Sequence, residues 1–169
     1  YAEPGASILI NAPSGYDGAG VATTWITNGY KLDFGGTSAA APLVSGVIAL
    51  MLEANPALTW RDVAYILLES AQFNDPGDPG WFTNAAGHRF SRNYGFGRVD
   101  AAAAVTLAET WINVPPLATP VSVGHDVSLP VPDNDPVGVS DTLTINVPAG
   151  FVVERVIVHV SAQHPFRGD

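Results

Sequence analysis

The chain contains no cysteine, a single methionine, and only seven basic residues against sixteen acidic ones. Without cysteine there is no disulfide, no thiolate metal site and no thiol nucleophile, so every brace in the fold is non-covalent and the redox compartment leaves no direct mark. A formal charge of −9 argues against a nucleic-acid partner, because an acidic surface repels a polyanion. The same acidity suits either solubility alone or attraction of basic substrates. No apolar run approaches the roughly 20 residues that cross a bilayer, so no membrane segment is expected. The 169 residues open without methionine and stop in strand-like sequence, which predicts a piece of a longer protein with no signal peptide in view.

Residues 6–12 read as a short buried strand, 13–20 as a turn-rich stretch and 21–26 as a second strand. Leu43, Val47, Leu50 and Met51 then recur at helical spacing among small residues, which predicts a central core helix packed closely on several sides. Asn55-Pro56 ends it. Thr59 offers an N-cap for a second helix, with Asp62 three residues on and a buried face of Val63, Ile66 and Leu67. Residues 72–98 are rich in Gly, Asn, Asp and Pro and read as a long loop region closing at Tyr94-Gly95-Phe96-Gly97. Asp100 caps an alanine-rich helix reaching about Trp111. Six prolines in residues 112–138 mark a linker and the best domain boundary. Beyond it, Leu143, Ile145 and Val147 alternate, as do Val152, Val156, Val158 and Val160, with a hairpin at Pro148-Ala149-Gly150; this predicts the start of a β-sandwich. The expected organisation is 1–111, a linker over 112–138, and a truncated second domain over 139–169.

The run Gly35-Gly36-Thr37-Ser38-Ala39-Ala40-Ala41-Pro42 opens the first helix. Two glycines let the backbone turn tightly and let an extended substrate approach, and Pro42 suits a first helical turn. Ser38 is therefore expected at a helix N-terminus, where free N–H groups and the positive end of the dipole can stabilise an oxyanion. One donor would be the N–H of Ser38 itself. A serine there reads either as a nucleophile or as a helix cap. A nucleophilic serine needs a base oriented by a carboxylate, yet His88, His125, His159 and His164 all follow Ser38. A serine-first order belongs to Gly-x-Ser-x-Gly elbows, and Thr37-Ser38-Ala39-Ala40 lacks that second glycine. The histidines read as surface or packed residues. Asn74, Asp75 and Asp78 sit in Asp-Pro-Gly turns, where turn chemistry precedes metal binding, and Asp133-Asn134-Asp135 reads as a linker turn.

The Gly35-to-Pro42 run resembles the kexin and furin branch of the subtilases, the proprotein convertases. So do Gly46-Val47-Ile48-Ala49-Leu50, Glu53-Ala54-Asn55-Pro56, Leu58-Thr59-Trp60-Arg61-Asp62-Val63 and Asn93-Tyr94-Gly95-Phe96-Gly97-Arg98-Val99-Asp100-Ala101-Ala102. Val153-Glu154-Arg155-Val156 and Arg167-Gly168-Asp169 are similar to the start of the P domain that follows the catalytic domain in that branch; by that position the Arg-Gly-Asp tripeptide is structural and not an adhesion signal. The resemblance implies an α/β fold: the C-terminal part of a subtilisin-like parallel-sheet sandwich, followed by the start of an all-β jelly-roll-like P domain. It implies a secreted or cell-envelope, calcium-dependent serine endopeptidase acting on polypeptides, with Ser38 as nucleophile and Gly35, Gly36, Thr37 and Ser38 facing the oxyanion and substrate backbone. A preference for basic residues follows from the resemblance alone, as does a P domain that stabilises the catalytic domain by intramolecular contact. Glu3, in Tyr1-Ala2-Glu3, matches a calcium ligand beside the primary specificity pocket, although one carboxylate is no site by itself and its spacing alone suggests a solvated glutamate. In that family the order is Asp, His, Ser, so the acid, the base and an asparagine oxyanion donor are expected upstream and this stretch alone is expected to be inactive. The rival expectation is a non-catalytic subtilisin-fold scaffold whose β-sandwich binds a partner.

Overall fold

The computed structural model describes residues 3–15 and 19–163, and the chain divides into two units between Pro115 and Pro116. Among the described residues, all regular elements lie in the first unit: β1 Val21–Trp25, β2 Gly29–Phe34, α1 Thr37–Ala54, α2 Trp60–Glu69, β3 Phe82–Thr83, β4 Arg89–Phe90 and α3 Ala101–Glu109.

β1 and β2 form an antiparallel hairpin in which Thr24 faces Tyr30 and Trp25 faces Gly29. Its turn places Thr27 and Asn28 at φ 60° and 58°, the left-handed pair whose twist matches that of the flanking strands. The sequence reading found β1 but not its partner, although Tyr30, Leu32 and Phe34 alternate with Lys31 and Asp33. β2 ends at the glycines that open α1, so the hairpin delivers the chain directly to the run containing Ser38.

The core lies among the three helices and joins Val47 and Met51 of α1, Leu58, Ile66 and Leu67 at and within α2, and Ala104 and Ala108 of α3. The two alanines lie four residues apart on one face, and their small side chains admit α1 closely. Asn55 fastens α1 to α3: its N–H donates to the Met51 carbonyl at 2.9 Å and its side chain to the Ala108 carbonyl at 3.0 Å. α3 starts where expected, with the Asp100 carboxylate accepting from Ala103 N–H at 3.0 Å; that bond holds the carboxyl below its usual range.

α2 starts with a complete capping box. Thr59 N–H donates to Asp62 Oδ2 at 2.7 Å, while Asp62 N–H donates to the Thr59 hydroxyl at 3.3 Å. Asp62 is fully buried and also accepts the Trp111 indole N–H at 3.0 Å, the Asn113 side-chain amide at 3.0 Å and Val114 N–H at 2.7 Å. Its neighbour Arg61 donates to the Pro115 carbonyl. Burial alone would raise the Asp62 carboxyl, but the Thr59 hydroxyl, the Val114 and Thr59 N–H groups and the Trp111 indole outweigh it and hold it far below the usual carboxylate range. This one side chain fastens residues 111–114 to the start of α2.

Residues 72–98 are more structured than a loop reading predicts. Phe96 N–H donates to the Leu9 carbonyl, Asn11 N–H to Gly97 and Val99 N–H to Asn11, a parallel run, while Gln72 and Arg98 exchange both bonds at 2.8 Å in the antiparallel sense. Gly95 and Gly97 sit at φ 62° and 138°, and a Cβ on either would lie 2.5 Å from a neighbouring carbonyl oxygen; only glycine fits this junction. Trp81 stacks on Tyr94 and meets Phe73 edge-on. The Tyr94 hydroxyl donates to Asp75 at 2.7 Å, which raises the phenol above its usual range. Asp78 accepts from Gly80 N–H and the Asn93 side chain, so both aspartates are engaged in local bonds.

The described residues differ from the sequence reading in several details. Residues 6–12 form no strand; only Asn11 makes a bridge, a parallel one to Arg98, and among the described residues both regular sheets are antiparallel pairs. Hairpins close locally, whereas a parallel sheet needs strands distant in sequence. α1 is not packed on several sides: Ala39, Val47 and Met51 are buried, but Leu43 and Leu50 are 39% and 50% exposed, because no described element lies on that side. α1, at 18 residues, is long and apolar enough to cross a membrane by length and composition alone, a test that a core helix also passes, and its Val47 and Met51 stripe packs into the core. In the second unit, the alternating residues 143–160 pair into no strand among the described residues, and Val152, Val158 and Val160 stay exposed. Alternation prepares a face, but a sheet needs partner strands and a surface to cover it. That unit shows local turns from Asp135 to Gly138, beside the expected linker turn, and from Pro148 to Phe151, and a His125–Asp141 pair at 2.9 Å.

Candidate active site

Ser38 is the second residue of α1 and is exposed. It does not cap the helix, for the N-cap position belongs to Gly36, which has no side chain to offer and sits at φ 74°, ψ −177°. That backbone region is essentially restricted to glycine. The Gly36 carbonyl accepts from Ala39 N–H at 3.0 Å and Ala40 N–H at 3.4 Å. The N–H groups of Thr37 and Ser38 meet no acceptor among the described residues, so the positive end of an 18-residue helix has two open donors at Ser38 and the residue before it. No acidic residue occupies the first turn to quench that field.

Pro42 lies one turn further in than the sequence suggested, as the sixth residue of α1. A proline there has no N–H for the carbonyl four residues back, which is that of Ser38. Gly35 is pressed against the preceding loop, where an added Cβ would lie 2.2 Å from the Gly15 carbonyl oxygen. From that loop Ser14 donates to the Gly36 carbonyl at 2.6 Å. Sequence reading missed Ser14, because nothing local links it to a helix more than twenty residues later.

Around Ser38 the structure shows an exposed hydroxyl and uncapped helix-start N–H groups, and no base among the described residues is hydrogen-bonded to that hydroxyl. His88 pairs with Glu69 at 3.7 Å and meets Phe96 edge-on, and His125 pairs with Asp141 in the other unit. No hydrogen bond joins Ser38 to a histidine among the described residues. Glu3 is exposed, and Tyr1 and Ala2, which complete its context, lie outside the described residues, as do His164 and Arg167-Gly168-Asp169. No three acidic or histidine side chains gather among the described residues. Calcium takes six to eight oxygens, and among the described residues Glu3 has no second carboxylate gathered with it into such a set.

A model of the subtilase family matches residues 4–97, more than half of the chain. The chain is 41% identical over 146 residues to the PC3-like endoprotease variant B of Hydra vulgaris, covering 81% of this chain and 20% of the relative. It is 43% identical over 116 residues to the protease KEX1 of Kluyveromyces lactis, covering 69% and 15%. To the proprotein convertase subtilisin/kexin type 5 of Rattus norvegicus it is 40% identical over 141 residues, covering 79% and 8%. The chain thus spans about a fifth or less of the length of these relatives.

Proposed function

Because the chain belongs to the subtilase family, we propose that it carries the nucleophile of a serine endopeptidase of the subtilisin/kexin type. Ser38 Oγ gives its proton to a base that lies upstream in the complete protein and bonds to the scissile carbonyl carbon. The carbonyl oxygen takes the negative charge, facing the Ser38 N–H at the start of α1. The C–N bond then breaks as the base returns the proton to the leaving amine, and water hydrolyses the acyl-enzyme. Gly36 adds no side chain beside the path of an extended substrate, while Gly35 lets the preceding loop pack against the helix start. The observation that carries this reading is the exposed Ser38 on a helix start with no side-chain cap.

The finer parts of the proposal rest on the resemblance. They are cleavage after basic residues, passage through the secretory pathway, and a P domain that begins within residues 139–169 and stabilises the catalytic domain. Glu3 enters as one carboxylate of a calcium site whose other oxygens come from elsewhere in the complete protein. There, chelation is expected to lower Tm, since a ligand bound only by the folded state stabilises it; an unchanged Tm removes Glu3 from the site. The catalytic claim is tested by peptide hydrolysis in the complete protein, where Ser38→Ala is expected to abolish turnover. Unchanged hydrolysis sinks the assignment and leaves the non-catalytic scaffold.

A further inference from the structure

We propose that Ser14 is a positioning residue for the helix start that presents Ser38. The proposal rests on the nucleophile reading above and adds a residue to it. Gly36 is gripped at both of its polar ends by two consecutive residues of the preceding loop. Its N–H donates to the Gly15 carbonyl at 3.3 Å, and its carbonyl accepts the Ser14 hydroxyl at 2.6 Å. The same carbonyl takes the first helical donors, Ala39 and Ala40, so the Ser14 hydroxyl acts on the acceptor that sets the first turn of α1.

This grip matters because α1 has no cap of its own and because Gly36 is the residue best able to rotate. Turning the Gly36 carbonyl would tilt the first turn, and with it the Ser38 hydroxyl and the Thr37 and Ser38 N–H donors. A misplacement of about 1 Å at reacting groups costs on the order of a hundred-fold in rate. Ser14 touches neither Ser38 nor, by this geometry, the substrate, so its effect passes through Gly36. An exposed hydroxyl on a loop does little for global stability, which separates positioning from folding.

The experiment uses the complete protein with Ser14→Thr and Ser14→Val, two side chains of equal shape that differ in the hydroxyl. Three readouts are taken: kcat and KM on a peptide substrate, Tm, and the rate at which a fluorophosphonate labels Ser38. Ser14→Val is expected to lower kcat and the labelling rate on the order of ten-fold, the worth of one net hydrogen bond, with KM and Tm unchanged, while Ser14→Thr restores both rates. Equal rates in the two variants, or a loss in Ser14→Val that tracks a fall in Tm, overturn the positioning role. A wild-type protein that hydrolyses no peptide and takes no label at Ser38 overturns the nucleophile reading, and Ser14 with it.

Discussion

Two helices in one unit begin in opposite ways. At the start of α2, Thr59 and Asp62 satisfy one another, and the leftover acceptor capacity of Asp62 is filled by Trp111, Asn113 and Val114. At the start of α1, the cap is a glycine without a side chain, and two N–H groups meet no acceptor among the described residues. Free N–H groups at a helix start are satisfied by a cap, by water or by a ligand. A start closed by its own side chains serves as a joint, and a start left open is available for chemistry. The contrast is sharpest in charge: the joint holds a buried carboxylate at the positive end of its helix, whereas the open start has none in its first turn.

The comparison breaks most severely at Ser38. Its replacement by alanine is expected to lower kcat in the complete protein on the order of a million-fold, the scale set by removing the nucleophile of subtilisin, while Tm stays within a degree or two. The complementary change, Asp62→Asn, is expected to cost about 3 kcal/mol in urea unfolding, typical of breaking a buried charged network. Hydrogen exchange at Val114 N–H should rise with it, because that donor loses its carboxylate.

The Asp62 effect carries a pH signature. The folded-state carboxyl is held below its ordinary value, so its stabilisation is complete above the unfolded carboxylate pKa of about 3.9 and is lost as pH falls from there towards the folded value. Asp62→Asn should flatten the stability profile below pH about 4 and leave its shape near neutrality unchanged; an acid limb as steep as that of the wild type would show that other carboxylates govern it. Thr59→Ala is the smallest of these changes, about 1 kcal/mol for a lost N-cap, read as a shift of the urea midpoint. A Thr59→Ala protein that also lost peptidase activity without unfolding would erase the distinction between the two helix starts.

What the sequence made legible follows the range of each signal. Thr59 with Asp62, and Asp100 with the alanines after it, are patterns spanning three or four residues, and both caps form where they read. The small-residue run around Ser38 likewise marks a helix start within one turn, although Pro42 falls later than expected. Asp62 reads as half of a capping box and nothing more, because Trp111 and Val114 are about fifty residues away and arrive only when α3 packs on α1. The same is true of Ser14, and of Asn11 meeting Gly97. The alternating valines after Pro148 show the converse: their pattern is strand-like, but pairing needs neighbours that a periodicity does not supply. Local chemistry is written in short motifs, and the positioning around it depends on contacts that only folding makes.

The most direct test of the central claim is reaction of the complete protein with a serine-directed fluorophosphonate, followed by peptide mapping and with Ser38→Ala as control. Label confined to the peptide that contains Ser38, and absent from the control, is the predicted result, since an open helix start and an activated hydroxyl should coincide there. Folded, fully processed protein that takes no label, or takes it elsewhere, would contradict the account and show that the uncapped start of α1 is no catalytic site.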